Sequence, residues 1–307
     1  MRYFLLLPHL KIQNANAMSS PYTIGFPAMT AWLGGMHTLQ RRLQNYGYTD
    51  IILDKLAVSC HNLNVQRRYI KGNGTSLITL SRNPLIKKGK AYVPPDLLPE
   101  ARCHLEVSLL IELRGSVTEQ ILEDDKEKFY TKVRELVYAM KWASGDVLSL
   151  QTDKVKVEIL LLNEEGKNNE KQLKKIRCAL RPGHILIECR SLMKDAQEKE
   201  EVDVLQALLD YLKITEESNE KGDKVWRKKS PGWLVPIAVG FQGITAVAQE
   251  PVTNQRDEST PHRFAESVVT LGKFIMPHRF NDIDEILWHY KVDLDENLYL
   301  CKNESII

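Results

Sequence analysis

The sequence predicts an α+β fold: a ferredoxin-like, RRM-like core, split by a basic insertion and followed by an irregular α+β C-terminal half. Three observations carry this. Over residues 1–163, apolar runs and amphipathic segments follow the order strand, helix, strand, insertion, strand, helix, strand, which is that of a split βαβ unit. Residues 1–95 hold twelve Lys or Arg against only Asp50 and Asp54, a local balance of +10 in a chain whose net charge is +2. Beyond residue 163 the alternation becomes irregular, with charged stretches between short apolar ones. The chain therefore divides into a core at 1–163, with 64–99 as the insertion, and an extension at 164–307 packed on it.

Residues 3–12 are an apolar run and read as the first strand. Residues 29–43 place Met29, Trp32, Leu33, Met36, Leu39 and Leu43 near helical spacing. Arg41 and Arg42 close that helix at the negative end of its dipole, and Gly47 stops it. Residues 51–64 alternate loosely around Leu53, Leu56, Val58 and Leu63, a second strand. From 55 to 95 there are eight bases and no acid. Gly72-Asn73-Gly74 marks a turn there, with 65–70 and 77–80 as hairpin arms, and Pro94, Pro95 and Pro99 end the excursion. Such a segment is too long for a simple hairpin loop, which points to a role of its own. Residues 104–113 alternate through Leu105, Val107, Leu109 and Ile111 as a third strand. Residues 124–142 form an amphipathic helix carrying Phe129, Val133, Leu136, Val137 and Met140, and 155–162 read as a further strand. In the second half, 166–180 read as a charged helix, 183–189 as a strand and 202–212 as an amphipathic helix. Residues 216–229 read as a mobile charged loop, and 229–237 as a turn entering a buried strand. Residues 261–275 read as a helix opened by Pro261, and 283–290 as a last helix.

No apolar run is long enough to span a bilayer. The first ten residues lack a small-residue cleavage site and read as a strand, not a signal peptide. The five cysteines, Cys60, Cys103, Cys178, Cys189 and Cys301, form an odd, scattered set that fits reduced thiols in a cytoplasm. In Cys60-His61 and Cys103-His104 the strand neighbours point to opposite faces, so neither pair chelates a metal by itself. No metal or cofactor is expected. Neither a Gly-rich phosphate motif nor a nucleophile elbow is present. The localised basic excess suggests a polyanion partner, because solvated faces normally mix signs.

Between the first strand and the first helix stands Gln13-Asn14-Ala15-Asn16-Ala17-Met18-Ser19-Ser20-Pro21. Amides donate and accept, and so read base edges; Ser and Asn also cap helices and shape turns. Three amides and two hydroxyls in eight residues, without a charge, exceed what one cap needs, which favours a site. Arg41, Arg42, Arg67, Arg68, Arg82, Arg263 and Arg279 are the expected phosphate clamps. Arg82 beside Asn83-Pro84, and Arg279 after Pro277-His278, sit on stiff turns that lower the entropy cost of ordering them. His37 or His61 is the candidate for metal-independent RNA cleavage, a reading ranked below RNA binding. A third reading is a scaffold that touches RNA only incidentally.

The motifs Leu5-Leu6-Leu7-Pro8 through Ala17, Ser19-Ser20-Pro21, Gly25-Phe26-Pro27, Ser81-Arg82-Asn83-Pro84 and His104 to Leu109 stand in a fixed order. Pro231-Gly232-Trp233-Leu234-Val235-Pro236, Thr260-Pro261-His262-Arg263-Phe264 and Pro277-His278-Arg279 continue it. In this order the chain resembles the Csy-type RAMP subunit of the type I-F CRISPR surveillance complex that grips the 5′ end of the guide RNA. Residues 164–229 carry little of the resemblance. It implies a non-catalytic protein with a ferredoxin-like core, in which the basic insertion is a thumb. It implies binding to the repeat-derived 5′ handle of the crRNA and pairing with the large PAM-reading subunit. Contact with an adjacent backbone subunit follows too, with target DNA met only indirectly and antiviral defence as the purpose. The residues it turns toward RNA are Gln13, Asn14, Asn16, Ser20, Arg41, Arg42, Arg82, Asn83, Arg263 and Arg279; Arg67 and Arg68 are added by charge alone. Trp32, Trp233 and Trp288 are candidates for partner contact, with core packing the favoured use.

Overall fold

The computed structural model describes residues 1–70, 76–79, 81–82, 84–98, 100–115, 126–163, 169–218, 223–248, 252–255 and 257–304. Its strands are β1 (Arg2–Asn16), β2 (Ile52–Val65), β3 (Arg102–Arg114), β4 (Lys141–Trp142), β5 (Gly145–Ser149), β6 (Glu158–Leu162), β7 (His184–Glu188), β8 (Trp233–Gly243), β9 (Ala265–Ile275), β10 (Trp288–Asp293) and β11 (Leu298–Asn303). The helices are α1 (Met29–Asn45), α2 (Lys126–Tyr138), α3 (Asn169–Ala179), α4 (Arg190–Glu200) and α5 (Val204–Leu212). These eleven strands form one antiparallel sheet, ordered β4-β5-β1-β3-β2-β7-β9-β8-β11-β10, with β6 also on β1, and further short strands among the described residues pair in twos outside it. Trp288 of β10 pairs back onto Leu56 of β2, so the C-terminal strands curl into a ring with β2. No helix among the described residues is long and apolar enough to cross a membrane.

The strand alternation decides what lies on each face. Leu5, Leu7, Leu10 and Ile12 of β1 join Leu109 and Ile111 of β3 on one face, under α1 and α2. Phe4 and Leu6 join Ala57, Leu110, Ile185 and Ile187 on the other, under α3, α4 and α5. Each fully buried side chain of this size contributes roughly 1.5–3 kcal/mol. Trp32 and Trp288 lie in the core, whereas Trp233 is 48% exposed. Gly35 of α1 sits so close to the Trp142 ring that a Cβ there would fall 2.6 Å from Cε3, so only glycine lets β4 pack on this helix.

Several elements differ from the sequence expectation. The segment read as a helix over 261–275 is β9, paired along its length with β8 from Trp233↔Phe274 to Gly243↔Ala265. Its Val268-Val269-Thr270 run is β-branched, and a waiting strand partner overrides the Pro261 start signal. The expected helix over 283–290 is one 3₁₀ turn, Ile283–Ile286, followed by β10. The turn begins with a capping box between Asp282 and Glu285, a strong local start that β10 then ends. The charged stretch expected as a mobile loop over 216–229 contains an exposed hairpin, Ile214–Ser218 with Lys224–Lys228. Opposite charges across it, Glu216–Lys224 at 2.6 Å and Glu217–Arg227 at 3.2 Å, pair the two arms. In the basic insertion the expected hairpin is present: Arg67, Arg68 and Tyr69 pair with Ile78, Leu77 and Ser76.

An ionic latch joins the first strand to the C-terminal half. Arg2 Nε donates to Glu112 at 2.8 Å, and its two Nη atoms donate to Asp284 at 2.8 and 2.9 Å. Lys55 reaches the same Asp284 at 3.3 Å. Hydrogen bonds from Arg2 hold the Asp284 carboxyl below its ordinary range, although burial acts the other way.

Candidate nucleic-acid interface

Toward the Asn16 end of β1, the paired strands β1, β3 and β2 carry Lys11, Gln13, His104, Glu106, Asn62 and Asn64 incompletely buried, which makes a polar sheet surface. Two irregularities in β1 shape it, between Leu7 and Leu10 and between Ile12 and Ala15. Each contains a residue with positive φ, His9 at 49° and Asn14 at 57°, residue types that tolerate the left-handed region. Asn14 N–H donates to His104 Nδ1 at 3.3 Å, and Asn14 Oδ1 accepts from Gln66 Nε2 at 2.7 Å. Gln66 Nε2 also lies 3.2 Å from His104 Nε2. Asn62 and Asn64 are exposed on β2, opposite Glu106 and His104 on β3. Lys11, Gln13, Asn62, His104, Glu106 and Leu148 line a groove of about 340 Å³ across these strands. The hairpin of the basic insertion leaves β2 beside this surface, with Gln66 N–H donating to Arg102 O at 2.8 Å. Its Arg67 guanidinium lies 4.9 Å from the Tyr69 ring centroid, and both residues are exposed. The surface thus offers amide donors and acceptors, rings for stacking and cations for phosphate.

The sequence-predicted residues do not all meet here. Gln13 and Asn14 do, and Arg67 and Arg68 stand next to them. Asn16 is held in a turn, its Oδ1 accepting from Met18 N–H at 3.0 Å. Ser20 is 5% exposed and its hydroxyl bonds to Thr23 Oγ1 at 2.7 Å and to Tyr22 N–H at 3.2 Å, so it shapes the 18–24 turn rather than facing solvent. Arg41 and Arg42 ride on α1, across the sheet from the amides, and Arg42 donates to Ala139 O at 2.9 Å. Arg82 pairs through its backbone with Leu97 in the insertion, while Asn83 lies outside the described residues. Arg263 braces a distant tip, donating to Thr245 O and Asn297 Oδ1 at 2.8 Å each. Arg279 lines a separate cleft of about 490 Å³ with Lys273, Pro231 and Gly232. His37 is exposed on α1, on the opposite side from His61. Sequence reasoning missed His9, Gln66 and His104 as parts of the surface. The signal for His104 was its outward place in the alternation of β3; nothing local marks His9 or Gln66.

The sequence model of the family described as CRISPR-associated protein (Cas_Csy2) matches residues 5–301, from β1 into β11. The chain belongs to the Csy2 family of CRISPR-associated proteins. It is 34% identical over 314 aligned positions to CRISPR-associated protein Csy2 of Pseudomonas aeruginosa (strain UCBPP-PA14), covering 96% of this chain and 93% of that one. The Csy2-family match spans both halves of the sheet and the polar surface alike.

Behind the amides of this Csy2-family chain lies a stacked histidine pair. The His9 and His61 rings are 4.3 Å apart and 18° from parallel. His9 Nδ1 lies 2.8 Å from Glu106 Oε1, and His61 Nε2 shares a 2.7 Å hydrogen bond with Ser108 Oγ. His61 Nδ1 is buried and has no hydrogen-bond partner among the described residues. Burial first, and the His9 charge second, push the His61 pKa down to about 4. Burial likewise raises the Cys60 and Cys103 thiols to about 12, so neither is a reactive thiolate. Among the described residues no three His, Cys, Asp or Glu are placed to hold a metal ion.

The sign of the histidine effect is fixed. Below pH 6.5 the unfolded chain binds a proton at His61 that the folded chain refuses until about pH 4. Stability from this group is therefore complete above 6.5 and falls as pH drops through that window. Replacing His61 by Phe is expected to flatten the pH dependence of urea unfolding between 6.5 and 4. In the native chain the His61 ring should titrate near 4 by NMR; titration near 6.5 would show that the ring is not enclosed.

Proposed function

We propose that the chain is a non-catalytic crRNA-binding subunit of a type I-F CRISPR effector (Csy) complex. In this reading it holds the repeat-derived 5′ handle in the cytoplasm, in antiviral defence. It pairs with the large PAM-reading subunit, touches the adjacent backbone subunit, and meets target DNA only through them. The observation that carries the reading is the outward amide surface of β1, β2 and β3, where Asn14, Gln66 and His104 form one network beside the cationic hairpin. A handle of fixed sequence needs base-edge readers and phosphate clamps together, and this surface supplies both. The strand order β6-β1-β3-β2 with α1 and α2 on one face supports a ferredoxin-like, RAMP-type core. It also supports treating 1–163 as the RNA-binding core and 164–307 as its extension.

A non-catalytic role is supported by the histidines. His61 keeps Nε2 on Ser108 and Nδ1 inside, so neither nitrogen is presented to a scissile phosphate. His37 is on the other side of the sheet. The test is binding of labelled handle RNA and a scrambled control by the chain co-expressed with its large partner, over a salt series, with the products run on a denaturing gel. Tight, handle-selective binding of intact RNA is expected. Cut RNA would replace this reading with a guide-processing nuclease, and equal binding of both RNAs would leave a basic scaffold. In the same assay, Arg67→Ala with Arg68→Ala should weaken both RNAs alike and lower the salt slope by about 1–2. A loss confined to the handle would mean that these arginines read bases.

A further inference from the structure

We propose that the cleft at the end of β9 is a second phosphate site, built on Lys273 and Arg279, which takes the RNA backbone where the strand passes from the amide surface onto the C-terminal half. Two cations and no acid line this cleft of about 490 Å³ among the described residues. Lys273 is set in the middle of the sheet, paired with Ile187 of β7 on one side and Leu234 of β8 on the other. Its side chain is partly buried. Gly232 gives the stem room, because a Cβ there would fall 2.9 Å from Lys273 Cε. Arg279 is exposed in the turn after β9, and its backbone N–H donates to Met276 O at 2.9 Å.

Neither side chain makes a hydrogen bond or an ion pair among the described residues. Other cations of this half are engaged: Lys229 with Glu200, Arg190 with Glu188, and Arg177 with Phe280 O. Two unpaired cations that share one cleft, free of acids, suit an anion that accepts hydrogen bonds from both.

Position selects the anion. Lys273 stands between Leu271 and Ile275, and His104 and Glu106 alternate in step with Leu110, so all lie on the face that α3, α4 and α5 partly cover. Ile275 pairs with Ile185, and Ile185 with Ser59 of β2, so β9 ends at the end of the sheet where β2 carries Asn62 and Asn64. Only β7 separates β2 from β9, which puts the cleft about 10 Å across from β2. Residues 180–183 run between them: Ser59 Oγ donates to Leu180 O at 2.8 Å, and a Cβ on Gly183 would fall 2.9 Å from His61 Nδ1. Arg181 in this segment is exposed, and its side chain also has no partner among the described residues. An RNA strand that crosses this end of the sheet meets the amides, then Arg181, then Lys273 and Arg279. A small free anion would gain only the cleft, whereas a polynucleotide gains the adjoining surface as well. The inference rests on the reading of the chain as a crRNA-binding subunit and deepens it.

The experiment measures binding of labelled handle RNA over a salt series by the full chain co-expressed with its large partner. Lys273→Gln with Arg279→Gln is expected to weaken binding about tenfold and to lower the salt slope by about 1.4, as for two phosphates of a single strand. Arg279→Gln alone should lower the slope by about 0.7, and Arg279→Lys, which keeps the charge, should retain it. Because Arg279 is exposed, these two variants decide the matter even where the Lys273 change misfolds. Native affinity and slope in the Gln variants would overturn the proposal and leave the amide reading standing. So would loss of the large partner with RNA still bound, since the cleft would then hold an acidic protein segment. If the native complex binds no handle RNA, the crRNA-binding reading fails and the inference with it.

Discussion

Replacing Asn14 by Gly and Gln66 by Ala together is expected to lower affinity for the 5′ handle by about tenfold or more, and for a scrambled RNA by less than about twofold. The two side chains share one hydrogen bond, Gln66 Nε2 to Asn14 Oδ1; the Gln66 side chain also meets the His104 ring, which accepts from the Asn14 backbone N–H. Each has further donor or acceptor capacity to turn toward a base. Glycine is chosen at 14 because φ there is 57°, where alanine would add strain and blur the result. Asn16 is left intact because its side chain holds Met18 N–H, so removing it would disturb the turn. Fluorescence anisotropy with both RNAs at two salt concentrations reads the difference. Equal losses on both RNAs would sink the claim that these amides read sequence.

The second large effect is on stability. Glu112→Ala is expected to cost about 3 kcal/mol of unfolding free energy. Glu112 is 3% exposed on β3 and accepts from Arg2 Nε at 2.8 Å, while Arg114 lies 3.8 Å from its other oxygen. Without the carboxylate, a largely buried guanidinium loses its Nε acceptor, and Asp284 on its Nη atoms is partly solvated. Arg2→Met with Glu112→Leu removes both charges and should recover most of the loss, because an apolar pair needs no compensation. Urea unfolding checks both. A Glu112→Ala chain within about 0.5 kcal/mol of the parent would show that solvent already screens the latch.

Much of the N-terminal half was legible in the sequence. The strand at 3–12 announces itself as an apolar run buried on both faces, those at 51–64 and 104–113 by alternation, and α1 by the helical spacing of Trp32, Leu33, Met36 and Leu39. The basic excess of residues 1–95 is a sum over residue types and needs no fold to be counted. Gln13 and Asn14 stood out because uncharged amides cluster there. The C-terminal half was harder to read. β9 lies between β7 and β8, and β10 pairs with β11 and reaches back to Leu56 of β2, so pairing rather than the local start signals at Pro261 and Ile283 decided both elements.

The sequence by itself determined the α+β class, the order of the first elements, the charge asymmetry and the family motifs. These are local patterns or sums over residues, and they survive without knowing what packs on what. Tertiary structure alone decided which candidates meet. Positive φ at His9 and Asn14 accompanies the irregularities of β1, and three strands bring Asn14, Gln66 and His104 within hydrogen-bonding reach across some ninety positions. The same folding sends Ser20 into a turn, Arg42 to a helix end and Arg263 to a distant brace. A side chain's partners depend on register and on which face is covered, and a one-residue shift in a strand exchanges both.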